Sequence, residues 1–291
     1  MRVLVLGSTG MLGHDLVAAA PRDVELVHSR LGRIDLTNDR LVQHALDETR
    51  PDHVVNAAGY TAVDRAEDEP GLAEAVNGRA VSHLAAACSA RDITLVHFST
   101  DYVFSGSSAR PYREEDSSEP VGAYGRSKRA GEIGIAESGA RALIVRTQWL
   151  FGVCGHSFPR TMWERAEARL KTRVVNDQVG RPTFSRDLST WTWQLVRKGV
   201  VGTFHAANSG TATWFDVAQH VFQRAGAAGL LSSCSTADYP TRAVRPAYSV
   251  LDTSALEAQL GMPAAPWTDA LRRFMDEARF SDHAGGNAGW R

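Results

Sequence analysis

Tyr124 and Lys128 stand four residues apart in the segment Ala123-Tyr124-Gly125-Arg126-Ser127-Lys128. On a helix that spacing puts both side chains on one face. A free phenol titrates near ~10 and is a sluggish proton donor at neutral pH. A neighbouring ammonium stabilises the phenolate and is expected to lower that value. A tyrosine so tuned can protonate an oxyanion as a hydride reaches the attached carbon. Upstream, Ser99-Thr100-Asp101-Tyr102 follows the apolar run Ile93–Phe98. Thr100 is expected at the C-terminal end of a buried strand, where open α/β sheets bind ligands. Its hydroxyl could hydrogen-bond the same carbonyl oxygen and fix its geometry.

Hydride chemistry needs a cofactor cradle, and the N-terminus supplies one. Gly7, Gly10 and Gly13 in Gly7-Ser8-Thr9-Gly10-Met11-Leu12-Gly13 follow the first apolar run and open a helix. Glycine supplies the tight turn and the close backbone approach, and a helix N-terminus favours a pyrophosphate. The spacing is G-x-x-G-x-x-G rather than the commoner G-x-G-x-x-G. Folds that prefer NAD often carry an acid after the second strand. Here that position reads Val27-His28-Ser29-Arg30, so Ser29 and Arg30 are expected to meet a 2′-phosphate and NADPH to be favoured over NADH. Asp35 and Leu36 are expected near the adenine. Asn56, Ala57 and Ala58, at the end of the third strand, are expected along the cofactor backbone.

The elements that hold these groups read as a parallel sheet. Val3–Leu6, Val24–Val27, His53–Asn56, Ile93–Phe98 and Ala142–Val145 are short and rich in Val, Ile and Leu. Strands buried on both faces read that way. Helices are expected over Met11–Ala20, Asn38–Thr49, Gly71–Ala90 and Ala123–Glu137. Alternating strands and helices give right-handed βαβ units, hence a doubly wound, Rossmann-type α/β fold. After Thr147 the rhythm loosens. Phe158–Arg169 and Thr213–Ala225 read as helices, with Thr213 as N-cap, and Gly202–Ala206 as a late strand. The expected division is a dinucleotide-binding domain over 1–150, rejoined by elements near 184–222. A smaller substrate lobe takes 151–183 and 223–280, and 281–291 form a flexible tail.

Bulk composition excludes other classes. The chain has 291 residues with 43% hydrophobic and 22% charged, ordinary for a globular protein. Thirty-two Lys and Arg balance 33 Asp and Glu, so no basic excess calls for nucleic acid or a membrane surface. The three cysteines lack metal spacing and fit a reducing, cytoplasmic compartment. Neither a signal peptide nor a run of ~20 apolar residues is seen.

Taken together, these segments resemble the dTDP-4-dehydrorhamnose reductase family of extended short-chain dehydrogenases/reductases. The resemblance runs through GSTGMLG (7–13), VVNAAGYTAVDRAE (54–67), Ala75-Val76-Asn77, STDYVFSG (99–106), YGRSK (124–128), RTQWLFG (146–152), DQVGRPT (177–183) and RPAYSVLDTSAL (245–256). It implies hydride transfer from NADPH or NADH to C4 of a dTDP-linked 4-keto-6-deoxysugar, with Thr100, Tyr124 and Lys128 as the catalytic group. Lys128 would also hold the nicotinamide ribose. Tyr60, Asn77 and Ser99 would join the cofactor contacts. Asp101, Tyr102, Val103 and Trp149 match positions at the sugar, whose apolar faces stack on aromatics. Arg181 and Arg245 would take the diphosphate.

Two departures qualify the match. Some relatives bridge a dimer with Mg²⁺ through glutamates. Here the counterparts read Asp15 and Phe184-Ser185-Arg186-Asp187, so no metal ligand is assigned, and Mg²⁺ and a homodimer are left open. Gly59 stands where alanine is usual, with no large effect expected. Three rival readings remain. A 4,6-dehydratase would need a Glu after Asp101, where this chain has Tyr102. A 4-epimerase would retain NAD⁺ with no net oxidation. A non-catalytic regulatory subunit, as in the β-subunit of methionine adenosyltransferase, has no need of an intact Thr/Tyr/Lys set.

Overall fold

The computed structural model describes residues 1–27 and 34–283. Five strands, β1 (Arg2–Leu6), β2 (Glu25–Leu26), β3 (His53–Asn56), β4 (Thr94–Thr100) and β5 (Ala142–Thr147), join the strand Gly202–His205 in one sheet. Its order is Gly202–His205, β5, β4, β3, β1, β2, and every pairing is parallel. The two-residue alternation of the strands sorts their side chains into two cores. Leu4, Leu6, Val54 and Leu95 pack with Leu46, Leu84 and Ile135 on one face. Val3, Val5, Val55 and Val96 pack with Leu16, Leu188 and Trp191 on the other. Both faces are covered, which is why these strands read as continuous apolar runs. This is the doubly wound α/β architecture expected.

From β1 the chain runs outward to β2, then returns to β3 on the opposite side. That reversal opens a crevice at the C-terminal ends of β1 and β3. The helix Met11–Ala18 leaves β1 there. The helix Ala123–Glu137 leads into β5, beside β4.

One expected helix is not continuous. The stretch 71–90 is built from the helix Pro70–Glu74, a single π turn Ala75–Arg79 and the helix Ala80–Ser89, with a separate short helix, Val63–Asp68, before it. Pro70 starts its own helix, where a missing N–H costs nothing. The π turn carries Asn77, fully buried, to the backbone of Tyr60. Helix propensity reads the alanines correctly but carries no signal for the extra residue of a π turn.

The later chain divides its loyalty. Helix Ser185–Arg197 lies on the sheet, with Trp193 Nε1 donating to Leu16 O at 2.9 Å. Helices Phe158–Glu167 and Trp214–Arg224 instead close a further core around Phe151, Trp163, Phe184, Phe222, Trp267 and Phe274. Short strands pair beside them, Thr172–Val175 with Leu231–Cys234 and Val179–Gly180 with Ala212–Thr213. Thr213 caps its helix in a reciprocal box with Asp216, as its residue type suggests. Among the described residues no helix is long and apolar enough to cross a membrane.

Candidate active site

The glycine loop is shaped by contacts that no side chain would permit. Gly7 has φ +76°, and a Cβ there would stand 2.6 Å from Ala58 N. A Cβ on Gly13 would stand 2.0 Å from Gly7 O. These two glycines let the turn close against the end of β3 and against itself. Gly10, exposed, would meet Gly7 O at an ordinary 3.4 Å and leaves its outer side open. It caps the helix Met11–Ala18 without a side-chain acceptor, so the first-turn N–H groups face the crevice. Such a cradle fits a pyrophosphate. Thr9 is exposed and Met11 half-buried at the rim, whereas Leu12 is spent in the core.

The other cofactor positions vary. Asn56 Oδ1 accepts from Ala58 N at 3.1 Å and holds the Ala57–Ala58 turn. Asn77 Oδ1 accepts from Tyr60 N, and its Nδ2 donates to Tyr60 O and to Ser127 Oγ, all at 2.9–3.0 Å. Ser127 Oγ in turn donates to Tyr124 O at 2.8 Å. Asn77 thus ties the crevice wall to the helix of Tyr124. Asp35 accepts from Thr37 N and Oγ1, and Leu36 is buried in the core. Ser29 and Arg30 lie outside the described residues.

Thr100, Tyr124 and Lys128 come together at the C-terminal end of β4. Thr100 Oγ1 donates to Asp101 Oδ1 at 3.0 Å and accepts from Tyr102 N at 3.2 Å, and its hydroxyl acts on the Tyr124 phenol. Lys128 Nζ, buried one turn beyond Tyr124, donates to Phe98 O at 2.5 Å. It also lies 3.4 Å from His97 Nε2. Ser99 is buried on the same strand.

The charge states differ from the simple expectation. Burial pushes the Tyr124 phenol above its usual range, with Thr100 opposing and Asp101 reinforcing the rise. Lys128 is itself pushed down to about 8 by burial, with Glu132 opposing, and its amine is engaged with the Phe98 carbonyl. The expected depression of Tyr124 is therefore corrected. In this arrangement the phenol is held protonated, the state a proton donor needs. Burial raises Asp101 to about 6 and Tyr102 to about 12.

Among the positions expected at the substrate, Tyr102 packs edge to face on Tyr124, with ring centroids 5.6 Å apart, and the Arg245 charge acts on its phenol. Arg245 Nη2 donates to Asp64 Oδ2 at 2.6 Å, and Ala243 N to Asp64 Oδ1 at 3.1 Å. Arg181 Nη1 donates to Thr253 Oγ1 at 2.9 Å. Trp149 has φ +46°, a left-handed backbone rare for so large a residue. Its indole stacks on Trp214 at 3.7 Å, 9° from parallel, and seals against Gly180. Val103 is the misplaced member. It is wholly enclosed with Phe104, Tyr112 and Leu251, so it packs beneath the site rather than lining it.

Sequence reasoning missed His97, Ser127, Asp64 and Trp214. Ser127 sat inside the Tyr-Lys segment and His97 three residues before Thr100, so spacing could have flagged both. Nothing local links Trp214 to Trp149, 65 positions apart in number. Among the described residues no three His, Cys, Asp or Glu side chains converge as a metal site. Asp15 is buried and accepts from Ser185 Oγ.

Residues 1–280 match the family described as RmlD substrate binding domain. The chain is 36% identical to dTDP-4-dehydrorhamnose reductase of Escherichia coli (strain K12) over 292 residues, covering 95% of this chain and 98% of that one. It is 41% identical to a probable dTDP-4,6-dihydroxy-2-methyloxan-3-one 4-ketoreductase of Streptomyces antibioticus, covering 97% of each. The solved dTDP-4-dehydrorhamnose reductase of Bacillus anthracis str. Ames, in complex with NADP, superposes with TM-score 0.89 at 34% identity, covering 95% of this chain and 99% of that one. With that family model over residues 1–280 and relatives 36% and 41% identical along nearly the whole chain, the chain belongs to the dTDP-4-dehydrorhamnose reductase family.

Proposed function

We propose that this protein is an NADPH-dependent reductase of the C4 ketone of a dTDP-linked 4-keto-6-deoxy-L-hexose. The observation that carries this reading is the meeting of Thr100, Tyr124 and Lys128 beside the glycine cradle. NADPH, when bound, supplies the hydride that reaches C4. Met11 and Gly13 would hold its pyrophosphate through their N–H groups, and Lys128 its nicotinamide ribose. Tyr124 Oη donates the proton to the oxygen as charge develops there. Thr100 Oγ1 steadies the same oxygen. Trp149 and Tyr102 offer aromatic faces to the sugar, and Arg245 and Arg181 fork-shaped donors to the diphosphate. The residues after the second strand include Arg30 and no acid, which supports NADPH over NADH.

The test is NADPH oxidation with dTDP-4-keto-6-deoxyglucose, with and without a 3,5-epimerase. Oxidation that requires the epimerase is the expected result. Oxidation without it would move the assignment to a D-sugar. Interconversion of C4 epimers with no net oxidation would replace the reductase reading with an epimerase.

A further inference from the structure

Behind the catalytic helix, three buried side chains are wired so that one set of protonation states satisfies them all. Ala58 N donates to Asn56 Oδ1 at 3.1 Å, so the amide nitrogen is the atom facing His97 Nδ1, at 3.2 Å. An amide nitrogen donates and does not accept, so His97 Nδ1 must accept. A neutral imidazole whose Nδ1 accepts carries its hydrogen on Nε2. Burial keeps this ring neutral. Nε2 lies 3.4 Å from Lys128 Nζ, so an N–H points at the amine. An ammonium has no lone pair and would meet it donor to donor. A neutral amine accepts that hydrogen and still donates to Phe98 O.

We propose that His97, held by Asn56, is a positioning residue that sets the protonation of Lys128, drawing it toward its neutral amine. The kinetic side of this rests on the function proposed above. Residue choice points the same way. Of the chain's 32 basic residues three are lysines, Lys128, Lys171 and Lys198, and the rest are arginines. Arginine keeps its charge at any working pH, and a buried lysine does not. The other titratable groups near the amine are Tyr124 and Glu132 on its own helix. Glu132 favours the ammonium, but its oxygens are taken by Arg146 from β5 and by Arg129. From β4 the facing group is His97, and on the π turn Asn77, which does not titrate, bonds Ser127 on the lysine's own helix.

With so few lysines, NMR of protein carrying ¹³C,¹⁵N-lysine resolves each side chain, assigned through Lys171→Arg and Lys198→Arg. Histidine ¹⁵N spectra, assigned through His97→Phe, report the tautomer. We expect His97 protonated on Nε2 and Lys128 titrating below the other two lysines. His97→Phe should raise the proton affinity of Lys128 about tenfold, one pH unit. The high-pH limb of turnover should rise with it. A hydrogen on Nδ1, or a Lys128 titration unmoved in His97→Phe, overturns the proposal. If that variant does not fold, the wild-type spectra decide alone: a Lys128 that titrates with the other lysines overturns it. These spectra need no turnover, so inactivity toward dTDP-sugars would count against the proposed function and not against this wiring.

Discussion

Arg146 on β5 grips Glu132 on the helix Ala123–Glu137 with two 2.8 Å hydrogen bonds, Nε to Oε1 and Nη2 to Oε2, and both side chains are buried. Glu132 lies one turn beyond Lys128, so this pair clamps the helix of Tyr124 and Lys128 to the sheet. Removing one partner strands a charge in the interior, which costs about 3–5 kcal/mol. Arg146→Met is therefore expected to lose stability of that order in urea denaturation. A loss under about 1 kcal/mol would mean that the helix is held by other contacts.

Gly13→Ala would press a methyl into Gly7 O and distort the cradle. NADPH affinity, followed by fluorescence titration, should fall at least about tenfold, or 1.4 kcal/mol. Gly10→Ala, with its Cβ at 3.4 Å from Gly7 O, should be the milder change. Equal affinities in the two variants would refute the geometric account.

Tyr124→Phe keeps the ring on Tyr102 and removes the proton. Turnover should fall about 10²–10⁴-fold with the NADPH dissociation constant unchanged. Near-normal turnover would reassign the proton donor.

Trp214→Ala removes the partner of Trp149, whose φ of +46° then loses its packing support. An aromatic pair is worth about 0.5–1.5 kcal/mol beyond area burial. KM for the sugar nucleotide should rise about two- to tenfold, with a smaller effect on kcat and none on NADPH binding. An unchanged KM would place the stack outside the substrate path.

His205 is wholly buried, held mainly by desolvation and also by the Arg146 charge at about 3, below its ordinary 6.5. The folded state thus binds fewer protons than the unfolded chain between those values. The stability tied to this neutral imidazole is whole above pH 6.5 and drains away as pH falls toward 3. Buried Asp101, raised to about 6, works in the opposite sense between about 4 and 6. His205→Asn should flatten the acid side of the stability–pH curve measured by thermal melts. A curve as steep as that of the wild type would put the acid sensitivity elsewhere.

The residue types and short spacings were legible in the chain itself. Glycine at 7, 10 and 13, a tyrosine and lysine one turn apart, and a threonine closing an apolar run are local facts, and so are the two-faced burial and parallel pairing of the strands. Backbone periodicity and steric demands act over a few residues, so one sequence is enough to read them. Other features needed the folded chain. Val103 turns inward, the helix over 71–90 is interrupted by the π turn of Asn77, and Trp149 finds Trp214 from a distant segment. The protonation of Tyr124 belongs here as well. Spacing promised it an ammonium, but packing drew the amine of Lys128 to Phe98 O and left burial to set the phenol. Desolvation and long-range contact depend on which distant segments share the interior, and that is decided only when the whole chain has packed.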